Sequence, residues 1–64
     1  MTQRFLRMSE VKSRVGLSKA TIYRLVAKGC FPRSIRLGEA SVAWLEEDVI
    51  AWIAARVAES RSAA

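Results

Sequence analysis

One glycine and the serine two residues after it constrain this chain more than any other feature. They sit in the stretch Val15-Gly16-Leu17-Ser18-Lys19-Ala20-Thr21-Ile22-Tyr23-Arg24-Leu25. Ahead of it, Ser9 can cap a first short helix running from Glu10 to about Val15, in which Val11 and Val15 at i, i+4 face inward. Lys12 at N3 leaves that cap without the reciprocal partner of a capping box. Gly16 suits the left-handed position after the helix, with Leu17 able to fold back on Val11 as in a Schellman ending. Ser18 then caps a second helix, its hydroxyl accepting from an otherwise unpaired backbone N–H of the first turn. Leu17 at N′ and Ile22 at N4 stand at staple spacing. Beyond the cap, Ile22, Leu25 and Val26 form one apolar stripe, while Lys19, Ala20, Tyr23, Arg24 and Ala27 point the other way. A sharp glycine turn between two short helices is the sequence mark of a helix-turn-helix.

The free face of the second helix carries its own argument. Lys19 stands where the macrodipole is positive, at a cost of about 0.3–1 kcal/mol. Backbone N–H groups, Ser18 and Lys19 together suit a phosphate at that helix start. A solvated helix with an indifferent lysine would look the same at this level.

A chain of 64 residues makes one domain with a small, mainly helical core. At 52% hydrophobic and 27% charged it is too apolar for a disordered tail. No apolar run approaches the roughly 18 residues that a membrane span needs. No basic segment leading into an apolar stretch and a small-residue cleavage site marks export, so a reducing, cytoplasmic setting is expected. The single cysteine, Cys30, and the absence of histidine exclude an intrachain disulfide and a Cys/His zinc site, and no cofactor is implied. Cys30 is expected as a small packed hydrophobe beside a helix end. The net charge of +5 is unevenly placed, with +8 from Met1 to Gly38 and −3 from Glu39 to Ala64. An excess on the half that bears the second helix is the footprint expected of nucleic-acid contact.

Met1 to Arg7 reads as a lead-in whose Phe5 and Leu6 cover the core and whose Arg4 and Arg7 reach outward. The second helix ends in the same way, with Lys28 in its last turn, Gly29 at the left-handed position and Pro32 just beyond. Ser34 to Leu37 then alternates, with Ile35 and Leu37 inward and Arg36 outward; Gly38 to Ser41 turns, and Val42 to Leu45 returns. A third helix from Glu46 buries Val49, Trp52, Ile53 and Val57, with Ile50 at its edge. Glu46, Glu47 and Asp48 complement its dipole, a simpler account of the three acids than a metal or acid–base cluster. The fold class that follows is small and mainly α with a short β-hairpin: a winged helix-turn-helix of three helices and a two-stranded wing over residues 1–58. Residues 59–64 read as a frayed tail.

Taken in order, several blocks of the chain resemble the AlpA family of small prophage regulators, which belongs with the excisionase and MerR-like winged helix-turn-helix group. They are Leu6-Arg7-Met8-Ser9-Glu10-Val11, Gly16 to Arg24, Gly29-Cys30-Phe31-Pro32, Leu37-Gly38, Val42-Ala43-Trp44-Leu45-Glu46 and Ala51-Trp52-Ile53. The resemblance covers about residues 5 to 57. It implies a module that binds double-stranded DNA and activates or represses phage genes, with Ser18 to Arg24 in the major groove and the hairpin beside it. Ser18, Lys19, Thr21, Tyr23 and Arg24 carry over as contact candidates. The family's wing often has an arginine near Ala40 and a proline near Ser34. Here the turn Gly38-Glu39-Ala40-Ser41 holds an acid and no cation, so Arg33 and Arg36 are the wing candidates.

The expected DNA-binding set is therefore Ser18, Lys19, Ala20, Thr21, Tyr23, Arg24, Lys28, Arg33, Arg36 and Arg7. Phosphate contact is favoured for Lys19 and base reading for Arg24, since arginine to guanine O6 and N7 is the commonest specific contact. Lys28, Arg33, Arg36, Arg7 and Arg4 serve at most to neutralise phosphate. Trp44 and Trp52 are core by spacing. No glycine-rich phosphate loop, no histidine and too little chain for a pocket exclude an enzyme and a small-molecule ligand. Three acids at the start of the third helix disfavour a membrane-surface peptide. Two alternatives stay open: an architectural excisionase that bends DNA for a recombinase, and a protein-interaction adapter or antitoxin-like module. Partners beyond DNA are the chain itself on repeated sites and a recombinase or RNA polymerase. The long C-terminal coiled coil by which MerR relatives dimerise is lacking, so a monomer or weak dimer assembling on DNA is expected.

Overall fold

The computed structural model describes residues 4–63, so Met1 to Gln3 of the lead-in and Ala64 of the tail lie outside it. Along the chain come strand β1 (Phe5–Leu6), helices α1 (Met8–Val15) and α2 (Lys19–Ala27), strands β2 (Ile35–Arg36) and β3 (Val42–Leu45), and helix α3 (Glu46–Ala63). The fold is a winged helix-turn-helix: α1 and α2 joined by Gly16-Leu17-Ser18, with the β2–β3 hairpin as the wing.

Both helix-turn-helix ends are built from local chemistry. Ser18 caps α2 as expected, its Oγ accepting from the Thr21 N–H at 3.2 Å and donating to Thr21 Oγ1 at 2.9 Å. The far end of this helix is the Schellman ending expected there. The Cys30 N–H reaches Leu25 C=O at 2.8 Å and the Gly29 N–H reaches Val26 C=O at 3.0 Å, with Gly29 at φ 77°. Helix α1 differs from expectation at both ends. It begins at Met8 rather than Glu10, and Arg7, not Ser9, is its N-cap without a side-chain bond. The Arg7 carbonyl accepts from Glu10 and Val11 N–H, both at 3.0 Å, because strand β1 delivers extended backbone right up to Arg7. At its end Gly16, at φ 71°, sends a single N–H to Lys12 C=O at 2.8 Å, the simpler left-handed ending. Nothing lies within 4 Å of a Cβ built on Gly16, so Gly16→Ala tests the backbone alone. It should destabilise the fold by about 1–2 kcal/mol, read as a lower urea midpoint with an unchanged slope. A midpoint equal to that of the parent would mean the turn relaxes out of the left-handed region.

The sheet is larger than the two-stranded wing the sequence suggests. Strand β3 is central, pairing antiparallel with β1 through Phe5↔Leu45 and Leu6↔Trp44, and with β2 through Ile35↔Ala43 and Arg36↔Val42. The Glu46 N–H continues the first ladder onto Arg4 C=O at 2.8 Å. Half of the lead-in is thus structural: Leu6 is fully buried, while Phe5 lies exposed on the other side of the strand. Strand β2 is shorter than expected, and Leu37, placed inward by the alternation, is 47% exposed. The pairing stops at Arg36, and the Leu37 and Gly38 N–H groups both turn onto Ser41 C=O, which takes Leu37 out of the ladder.

Leu6, Val11, Ile22, Phe31, Trp44 and Val49 form one core, with Leu17, Leu25, Val26, Trp52 and Ile53 packed against it. The loop after α2 is held from below by two indoles. Trp44 Nε1 donates to Pro32 C=O at 2.8 Å and Trp52 Nε1 to Cys30 C=O at 2.7 Å. Phe31 sits edge-on to both rings, at centroid distances of 6.4 and 4.8 Å. This clamp turns Cys30 outward, and its thiol is exposed rather than packed. Helix α3 runs through Ala63, past the tail predicted from residue 59, because Glu59-Ser60-Arg61-Ser62-Ala63 contains no glycine or proline to stop it. Ile50 and Val57 on this helix are both exposed, so the inward stripe narrows to Val49, Trp52 and Ile53.

Candidate nucleic-acid interface

The side of the molecule opposite the core at α2 is built by the Ser18 cap and the Ile22–Leu25–Val26 stripe. With Ile22 fully buried and Leu25 and Val26 half-buried, the helix has one rotation available. Lys19, Ala20 and Arg24 are consequently exposed, and so is Ser18. Thr21 is half-buried, its hydroxyl taken up by Ser18. Tyr23 is 42% exposed, and its ring lies 6.4 Å from Trp44, so packing fixes the phenol's direction while leaving one edge at the surface. Lys28 follows at the helix end, and Arg33 and Arg36 approach and enter the wing, all three exposed. Arg7 stands exposed at the start of α1.

Ion pairing divides the cations into two groups. Glu10 and Glu46 draw Arg4 and Arg14 into a cluster, with Arg14 2.9 Å from Glu46 and 3.3 Å from Glu10, and Arg4 3.9 Å from Glu46 and 3.8 Å from Glu10. Arg4, its side chain still 64% exposed, thus stands beside two acids instead of being wholly free as expected. The Glu10–Arg14 spacing of i, i+4 was legible in the sequence; the approach of Glu46 depends on the β1–β3 pairing and was not. Arg56 is similarly occupied, 2.9 Å from Glu59 and stacked 5.4 Å over the Trp52 ring. Among the described residues, Arg7, Lys19, Arg24, Lys28, Arg33 and Arg36 are outside these pairs. Lys12, exposed on α1, shares that condition, although its spacing on the helix did not single it out.

Among the described residues no acid pairs with a cation of the expected set. Glu10 and Glu46 neutralise Arg4 and Arg14, Glu59 pairs with Arg56, Glu47 and Asp48 lie at the start of α3, and Glu39 stands at the wing tip. The exposed residues Glu39 and Ala40 leave the tip itself without a cation. Such a surface can neutralise a phosphate backbone while presenting the Arg24 guanidinium and the Tyr23 edge from a helix narrow enough for a major groove. Among the described residues no group of three or more metal-ligating side chains occurs, and no helix is long and apolar enough to cross a membrane.

Residues 4–57 match the family model described as the prophage CP4-57 regulatory protein (AlpA). An uncharacterised protein, ORF88, of Enterobacteria phage P4 is 52% identical over 56 residues, which is 88% of this chain and 64% of the phage protein. The chain thus spans just under two thirds of that relative's length. No solved structure matches. Because the family match runs unbroken from β1 through the helix-turn-helix and wing into α3, the chain belongs to the AlpA family of prophage regulatory proteins, a family of DNA-binding regulators.

Proposed function

We propose that this chain is a sequence-specific, double-stranded DNA-binding transcriptional regulator of prophage or mobile-element genes, with α2 in the major groove. The observation that carries the reading is the exposed face of α2, where Lys19, Ala20, Tyr23 and Arg24 lie together with no carboxylate paired to either cation among the described residues. Ser18 and the first N–H groups of α2 receive a phosphate next to Lys19, setting the depth of the helix. Arg24, one turn further on, reads a base edge. Arg7, Lys28, Arg33 and Arg36 neutralise flanking phosphates, and Ala20 admits close approach of the groove floor or a thymine methyl.

Selection of bound duplexes from a random pool tests this directly. The parent should enrich one motif, and Arg24→Ala should lose about 1–3 kcal/mol of preference at a single base pair while keeping the rest. A uniform loss over all positions would reassign Arg24 to phosphate. No enrichment by a folded protein would remove sequence-specific regulation as the function.

A further inference from the structure

Helix α3 carries a second surface that the DNA-facing side does not use. It is 18 residues long, about 27 Å, and only its first half packs on the core through Val49, Trp52 and Ile53. Rotated away from that stripe, Glu47, Ile50, Ala54, Val57 and Arg61 recur at i, i+3, i+7, i+10 and i+14, the spacing of a coiled-coil seam. All five are exposed; Ile50 and Val57 are 52% and 43% accessible, two of the five large apolar side chains left at the surface among the described residues. Ile50 and Val57 thus stand two turns apart on one exposed line that the core does not cover.

We infer that this face is the seat of a second copy of the chain, its α3 lying antiparallel across the first. The seam is self-complementary about Ala54. A two-fold axis there sets Glu47 against Arg61 of the second copy, Ile50 beside its Val57, and Ala54 against its Ala54, where the small side chains let the helices approach closely. Neither Glu47 nor Arg61 is in an ion pair among the described residues. A parallel arrangement would oppose like charges at both ends, so the charge pattern selects the antiparallel one. One helix face buries much less than the roughly 1,600 Å² of a standard interface, so the dimer is weak alone and strengthens when two adjacent DNA sites raise the effective concentration. Two-fold symmetry requires those sites to be inverted repeats.

Sedimentation of the 64-residue chain without DNA tests the pairing separately from the DNA-binding reading. The parent should associate reversibly in the sub-millimolar range. Val57→Glu and Arg61→Glu should each weaken association about tenfold or more, with helical content unchanged by circular dichroism. Arg61→Glu is the decisive variant because it lowers the net positive charge, and general repulsion alone would then favour association. The double variant Glu47→Arg with Arg61→Glu restores the parent's association, since each end again meets its opposite. A parent that stays monomeric to millimolar concentration, or association indifferent to these changes, would overturn the proposal, as would strict enrichment of direct repeats in the duplex selection.

Discussion

Trp44→Ala is expected to leave most of the chain unfolded at room temperature. Trp44 is the largest fully buried side chain, and its ring meets Phe31 and Tyr23 while its Nε1 holds the Pro32 carbonyl. Truncating a buried tryptophan costs about 3–5 kcal/mol, and losing the donor adds about 1 kcal/mol more. A core of this size supplies about 3–5 kcal/mol in all. The loss therefore equals or exceeds the stability available. Far-ultraviolet circular dichroism with urea titration reads the outcome: absence of a cooperative transition is expected for Trp44→Ala. Trp44→Phe, which keeps a ring but not the donor, should retain a transition at a lower midpoint. A cooperative Trp44→Ala transition near that of the parent would mean that the sheet and helices are held together from elsewhere.

Affinity for the selected duplex should fall steeply with salt. Six cations of the expected set, Arg7, Lys19, Arg24, Lys28, Arg33 and Arg36, are exposed and outside the ion pairs among the described residues. With Arg24 on a base, five remain for phosphate, and a slope of log affinity against log salt of roughly −4 to −5 follows. Between 50 and 200 mM salt that amounts to a loss of several hundredfold, on the order of 10² to 10³. Fluorescence anisotropy across a salt series measures it. Lys28→Ala should make the slope shallower by about one, whereas Arg14→Ala should leave it unchanged, because Arg14 is held by Glu10 and Glu46. A slope near zero would remove the electrostatic account of the surface, and equal effects of the two variants would remove the division between engaged and free cations.

Much of the helix-turn-helix could be read from residues alone because its determinants are local. The Ser18 hydroxyl finds its donor three residues away, Gly16 and Gly29 supply left-handed backbone where each helix stops, and the apolar stripe of α2 sets its rotation without reference to distant parts. Exposure of Lys19, Ala20 and Arg24 follows from the same periodicity. The wing was legible as a hairpin but not in extent. Phe5 and Leu6 are too short a run to announce a strand, and they become one only because β3 offers an unpaired edge.

Local chemistry suffices for the two short helices, the turn between them and the return strand, since each depends on neighbours within a few residues, and the charge excess from Met1 to Gly38 is a matter of composition. Tertiary structure alone decided which cations are free. Arg4 and Arg14 count toward the basic half in any composition, yet pairing β1 with β3 brings Glu46 to them, so that both carry an acid beside them at the surface. It also decided the start of α1, where extended backbone from the sheet replaces a side-chain cap, and the exposure of Cys30, turned outward as Trp44 and Trp52 take the carbonyls around it. The same holds for α3, whose periodicity names apolar positions but not which of them meet the core. Val49 does; Ile50 and Val57 do not, because the small sheet covers only the first turns of the helix and has no surface left to offer the remainder.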